Sequence, residues 1–233
     1  MSTQWATLYK YVPLNYISDI LDNHRLYLNN GENFNDPFEI TIVDRKNKSL
    51  QHIKGLHILS LTNSHKNKLI WSHYTDSHKG VCLTVKVPKS LVYPICYSSK
   101  RVYEDSNIDD LVKCCVIKSK KNVKKEISSL SRNKKIALIK DKKWIYEREY
   151  RIVFDKEDER GLIYDNGKWY MSVKITTIHL GANFSKNDNA TKKNIIDACK
   201  RNNVEIKQMV LSNSNYSLRV KNFDEKSIAQ KIL

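Results

Sequence analysis

Val81-Cys82-Leu83-Thr84-Val85-Lys86-Val87 is the segment that most restricts the fold. Its apolar side chains recur at every second position, so Val81, Leu83, Val85 and Val87 share one face of an extended strand, and Pro88 closes it because proline cannot continue a hydrogen-bonded ladder. Similar short runs recur along the chain. Strands are expected over 6–11, 25–28, 56–62, 91–97, 148–154, 171–180, 204–211 and 215–220. Helical spacing is seen at Leu14, Ile17, Ile20 and Leu21, giving a helix over 14–23. One helical turn is expected over 69–74 and a helix over 191–202. Asp165-Asn166-Gly167-Lys168 has the chemistry of a two-residue hairpin. Pro13 ends the first strand and Gly181 the one at 171–180. The pattern predicts an α+β fold with a mostly antiparallel sheet and flanking helices.

The chain has 233 residues, which suggests a single domain over 1–233. From about 105 to 142 the pattern turns helical and basic. Residues 118–143 carry eleven Lys or Arg against Glu126 and Asp141. This stretch reads as a basic helical insert. Its Lys120, Lys121, Lys124, Lys125, Lys134 and Lys135 are candidates for nucleic-acid binding, with a solvated helical face as the plainer alternative.

Forty-one Lys and Arg face 25 Asp and Glu, a formal charge of +16. A field of that sign attracts nucleic acid, nucleotides and other anions. A genome rich in Lys and Asn codons would give the same composition. No stretch reaches the ~20 apolar residues of a membrane span, and the first residues lack the pattern of a signal peptide. The expected location is the cytoplasm, with no membrane partner. Five cysteines, none in a C-x-x-C, imply neither a disulfide framework nor a zinc ribbon, and reduced thiols are expected.

No P-loop, G-x-G-x-x-G or H-E-x-x-H motif is present. His73 and His78 are five apart, off the spacing that puts two metal ligands on one helical face, and no metal is expected. Cys82, inside an apolar strand, reads as a packed thiol. Glu147-x-Glu149 is more informative. On an extended strand the two carboxylates would share a face and raise each other's pKa, a pairing suited to chemistry at a sugar carbon. An ion pair with Arg148 or Arg151 is the plainer alternative. Trp71-Ser72-His73-Tyr74, followed by His78-Lys79-Gly80, groups aromatic, hydroxyl and imidazole side chains as the wall of a ligand pocket does; an aromatic corner of the core would look the same.

Leu8-Tyr9-Lys10-Tyr11, Phe34-Asn35-Asp36-Pro37-Phe38, Trp71-Ser72-His73-Tyr74 with His78-Lys79-Gly80-Val81-Cys82-Leu83, and Trp144 to Arg151 resemble, in order and spacing, the bacterial family called domain of unknown function 2971. Ile178-His179-Leu180-Gly181 fits the same pattern. The layout is also distantly similar to the ADP-ribosyltransferase fold, a split β-sheet core. That resemblance implies NAD as substrate and no metal. Tyr9, Lys10 or Tyr11 of the first strand would grip the dinucleotide, although His or Arg is usual there. Tyr74, with Ser72 and His73 beside it, would stack on nicotinamide. Glu149 would be the catalytic glutamate and Glu147 its helper. The resemblance therefore implies an NAD-dependent ADP-ribosyltransferase or NAD glycohydrolase, a bacterial toxin or phage-defence effector modifying RNA or DNA, with an antitoxin or chaperone as an expected partner. Two alternatives stay open: a non-enzymatic nucleic-acid-binding module, and a nuclease using Asp36, Glu39, Glu147 and Glu149 around Mg²⁺.

Overall fold

The computed structural model describes residues 3–116, 127–158 and 161–224. The fold is α+β with mostly antiparallel pairing. The chain packs as two compact units, each built from separated stretches of sequence. The first comprises residues 1–26, 61–88 and 172–233, and the second residues 27–60 and 89–171.

The first unit is organised by β1 (Trp5–Val12), β6 (Val81–Pro88), β13 (Lys174–Leu180), β14 (Glu205–Leu211) and β15 (Leu218–Asn222). β6 lies between β1 and β13 and is antiparallel to both. This central position explains why both faces of β6 are buried, where the alternation predicted one buried face. β13 and β14 are parallel. Parallel neighbours need a long crossover, supplied by α5 (Asn189–Arg201). Asp188 caps that helix, accepting from Thr191 N at 2.8 Å. On one sheet face α2 (Lys68–Tyr74) covers Tyr11, Cys82, Met209 and Leu218 through Ile70 and Trp71. The predicted helix over 14–23 is a 3-10 turn, Leu14–Tyr16, followed by α1 (Ile17–Asn23).

The second unit contains β3 (Thr41–Asp44) and β4 (Ser49–His52), a hairpin absent from the sequence-based expectation. Its signal was Asp44, whose carboxylate accepts from Lys46 N, Asn47 N and Asn47 Nδ2 and so folds the turn on itself. The predicted strand over 91–97 is two strands. β7 (Tyr93–Pro94) pairs with β10 (Glu149–Asp155), whereas β8 (Cys96–Ser98) pairs in parallel with β9 (Ile139–Asp141). Pro94 has no N–H to carry one ladder onward. β11 (Ile163–Asp165) and β12 (Lys168–Ser172) form the expected hairpin, with Asn166 and Gly167 both at positive φ, 49° and 76°.

The stretch expected to be a basic helical insert holds α3 (Ile108–Val116), α4 (Arg132–Ile136) and β9. It contributes to the core: Ile108, Val112, Ile127, Ile136 and Ile139 pack with Cys96 and Val102. Lys120, Lys121, Lys124 and Lys125 lie outside the described residues. Cys82 and Cys199 are buried free thiols, as expected. Cys96, however, is disulfide-bonded, which departs from the expectation of reduced cysteines. Among the described residues no helix is long and apolar enough to cross a membrane.

Candidate functional site

The second unit buries five charged side chains together. Residues Lys142–Glu147 form a 3-10 turn, Arg148 takes a left-handed conformation at φ 46°, and β10 starts at Glu149. Glu147 and Glu149 are therefore not neighbours on one extended strand, as the spacing predicts. The left-handed residue between them turns both carboxylates toward the same cation instead. Lys140 Nζ, brought in by β9, lies 2.6 Å from Glu147 Oε2, 3.0 Å from Glu149 Oε2 and 3.1 Å from Glu39 Oε1. Arg151, next but one along β10, donates from Nε to Glu149 Oε1 at 2.6 Å and from Nη1 to Ala137 O at 2.7 Å. Its Nη2 donates to Glu39 Oε2 and, at 3.1 Å, to Glu149 Oε2.

Glu147 and Glu149 are only 5 % and 6 % exposed, and Arg151 1 %. Burial alone would raise the Glu149 pKa, but Arg151 and Lys140 outweigh it and hold the carboxyl down at about 2. The sequence-based expectation was mutual elevation by like charges. At Glu149 it is reversed because two cations were recruited from β9 and β10. The ion pair with Arg151 is present, but in the interior rather than at the surface. Three carboxylates face two cations, so the set as a whole is one negative charge from balance.

A cleft of about 290 Å³ opens above this set. Its lining includes Asp36, Phe38, Glu39, Thr41, Lys140, Asp141 and the loop Ser98–Arg101. Trp144 donates from Nε1 to Asp36 Oδ2 at 2.8 Å and lies 5.0 Å from Lys140 Nζ, tying the Asp36 loop to the ion-pair set. Tyr97 Oη accepts from Glu149 N at 2.8 Å. The Phe38 ring is 56 % exposed at the cleft wall.

Tyr9, Lys10, Tyr11, Ser72, His73 and Tyr74 belong to the first unit. Tyr11 is core: its hydroxyl donates to Ser64 O at 2.9 Å and its ring meets Trp71 edge-on at 5.0 Å. Tyr9 and Tyr74 pack partly buried against that cluster. Lys10 is half-buried, while Ser72 and His73 face outward on α2. Sequence reasoning missed the other groups near Tyr9. His65 and His179 stack at 4.6 Å, Tyr9 lies 4.9 Å from His65, and His179 Nε2 is 3.1 Å from Thr84 Oγ1. Burial, and secondarily His65, depress the His179 pKa to about 4.

Lys134 and Lys135, proposed from sequence as nucleic-acid contacts, are both engaged. Lys134 pairs with Asp155 and Asp158, and Lys135 with Asp109 at 2.8 Å. Their side chains are 14 % and 10 % exposed. Helix α4 presents its basic side to acids of its own unit, which a one-dimensional charge count cannot reveal. Lys140, Arg101 and the Ser98–Lys100 loop were likewise missed as cleft residues. Their one sequence signal is the abrupt change from apolar strand to Ser98-Ser99-Lys100-Arg101.

Among the described residues no cluster of three or more His, Cys, Asp and Glu is arranged to hold a metal ion. Neither a curated protein nor a solved structure matches the chain. Residues 70–152 match the family described as "Protein of unknown function (DUF2971)", a span running from α2 into β10 and narrower than the whole-chain resemblance read from the motifs. Over that span the chain is similar to the DUF2971 family.

Proposed function

We propose that the protein is an NAD-dependent ADP-ribosyltransferase whose site is the cleft of the second unit. The observation that carries this reading is the buried set of Glu39, Glu147 and Glu149, ion-paired with Lys140 and Arg151, of which Glu39 and Lys140 reach the lining of the cleft. Cleavage of the bond between nicotinamide and ribose sends the bonding pair to nicotinamide and leaves positive charge on the sugar. Fixed carboxylates that need not reorganise stabilise that charge. Glu149, anchored by both cations, is the group assigned to it, with Glu39 at the cleft wall beside it. An acceptor oxygen or nitrogen then bonds to the ribose carbon and gives its proton to Glu147. The exposed Phe38 ring offers a stacking surface for the departing base.

Lys140 favours this reading over a metal-dependent nuclease. The four acids proposed for a nuclease do lie in one unit, but the Lys140 ammonium fills the space among three of them. A divalent cation would have to displace it. The net charge of +16 suits a nucleic-acid acceptor, and water as acceptor would give NAD hydrolysis.

The test is incubation with labelled NAD and RNA, DNA or cell lysate, with and without EDTA. Label transfer that ignores EDTA and is lost in Glu149→Gln supports the reading. Intact NAD under all conditions, with folded wild-type protein, removes it.

A further inference from the structure

The second unit treats its cations in two ways. Lys134, Lys135, Lys140 and Arg151 all meet carboxylates. Arg101 does not. Its Nη1 donates to Phe38 O at 3.0 Å, its Nη2 donates to Thr41 Oγ1 at 2.7 Å, and its guanidinium lies 5.1 Å from the centre of the Phe38 ring. All of these partners are neutral, so the side chain is held in place without a carboxylate partner among the described residues. Lys100, next to it, is exposed and meets no carboxylate among the described residues. Ser98 Oγ accepts from Lys100 N at 2.9 Å, bending the loop so that Ser99, Lys100 and Arg101 all line the cleft.

We propose that Lys100 and Arg101, with the hydroxyls of Ser98 and Ser99, form a binding subsite for the diphosphate of a nucleoside diphosphate. Two adjacent cations with hydroxyl donors match a doubly anionic group, and a guanidinium already fixed by neutral partners loses little freedom on binding. The acids in the lining of the cleft are Asp36, Glu39 and Asp141. Carboxylates repel phosphate, so the anionic end of a ligand goes to the cations Lys100 and Arg101. The inference rests on the transferase reading for the identity of the ligand: the subsite would take the ADP portion of NAD.

The experiment is calorimetric titration of the full chain with ADP, inorganic pyrophosphate and adenosine at low salt. ADP and pyrophosphate should bind, adenosine should bind at least tenfold more weakly, and the affinity for ADP should fall with added salt. Arg101→Gln should weaken ADP at least tenfold, the cost of about one charge-assisted hydrogen bond or more. Arg101→Lys should keep part of the affinity. Ser99→Asp, at an exposed position, should abolish binding without disturbing the fold, which answers the case in which Arg101→Gln does not fold. Equal binding of ADP and adenosine, or wild-type affinity for ADP in Ser99→Asp, would overturn the subsite. Failure here is distinguishable from failure of the transferase reading. If ADP binds through Arg101 but NAD is never cleaved, the subsite stands alone. If NAD is cleaved with unchanged KM in Ser99→Asp, the subsite is wrong and the activity stands.

Discussion

Arg151 Nε lies 2.6 Å from Glu149 Oε1, both side chains buried and two residues apart on one strand. Neighbours i and i+2 of a strand share a face, so β10 delivers the pair together. The second carboxylate on Arg151, from Glu39, arrives from 112 residues away in sequence and ties the Asp36–Ile40 loop to the strand.

Removing one partner of such a pair leaves an uncompensated charge in the interior. Arg151→Met should therefore destabilise the protein by about 3–5 kcal/mol, or prevent folding of the second unit. Arg151→Lys should recover part of the loss. Urea unfolding, followed by tryptophan fluorescence, measures both.

Glu149 sets an acid limit. Its pKa falls from 4.5 in the ordinary state to about 2 when folded. The unfolded chain thus takes up a proton first, so the stabilisation is complete above pH 4.5 and is lost as pH falls toward 2. Glu149→Gln should flatten the stability profile in that window. Equilibrium denaturation at a series of pH values would show the flattening.

His179 acts in a different window of the same profile. Its folded pKa of about 4 lies below the ordinary 6.5. The neutral form is the one that fits the interior, so stability is full above pH 6.5 and declines as pH falls toward 4. The groups facing it are His65, Thr84, Tyr9, Glu205 and Lys207. The loss is on the order of 3 kcal/mol. His179→Gln should remove the dependence between pH 6.5 and 4 while leaving the acid limb of Glu149 in place.

Gly181 is required by close approach of backbone. A Cβ there would come within 2.0 Å of His78 O, an atom fixed by its bond from Asn183 N. The turn that presents His78 is itself constrained, with Asp76, Ser77 and His78 all at positive φ. Gly181→Ala should cost several kcal/mol, roughly the scale of an overpacked core site, and lower the melting temperature accordingly. Gly167, with open space around its Cβ position, should lose less on the same substitution.

Local chemistry explains what could be read from the sequence and what could not. β5 (Leu56–Thr62), β6 and the Asn166-Gly167 hairpin follow from apolar spacing and turn residues, and the structure has them where the sequence puts them. The Glu147/Glu149 doublet was legible as a pair of interest, but its partners were not. Lys140 comes from a three-residue strand whose pairing with β8 depends on Pro94 redirecting the chain, and Glu39 comes from a loop. Lys134 and Lys135 looked like a nucleic-acid surface because sequence distance hides Asp109, Asp155 and Asp158. His65 and His179 are isolated histidines in sequence, and only the sheet and its neighbouring loop stack them.

Nicotinamide release is the most direct measurement of the central claim. Purified full-length protein is mixed with NAD at micromolar and millimolar concentrations, and free nicotinamide is followed by chromatography beside Glu149→Gln protein of matched circular dichroism. The account predicts time-dependent release by the wild type and a loss of about 100-fold or more in the variant, the scale expected when a stabilising charge is removed from the transition state. Equal release by both proteins, or none from either with nucleic acid present, would contradict it.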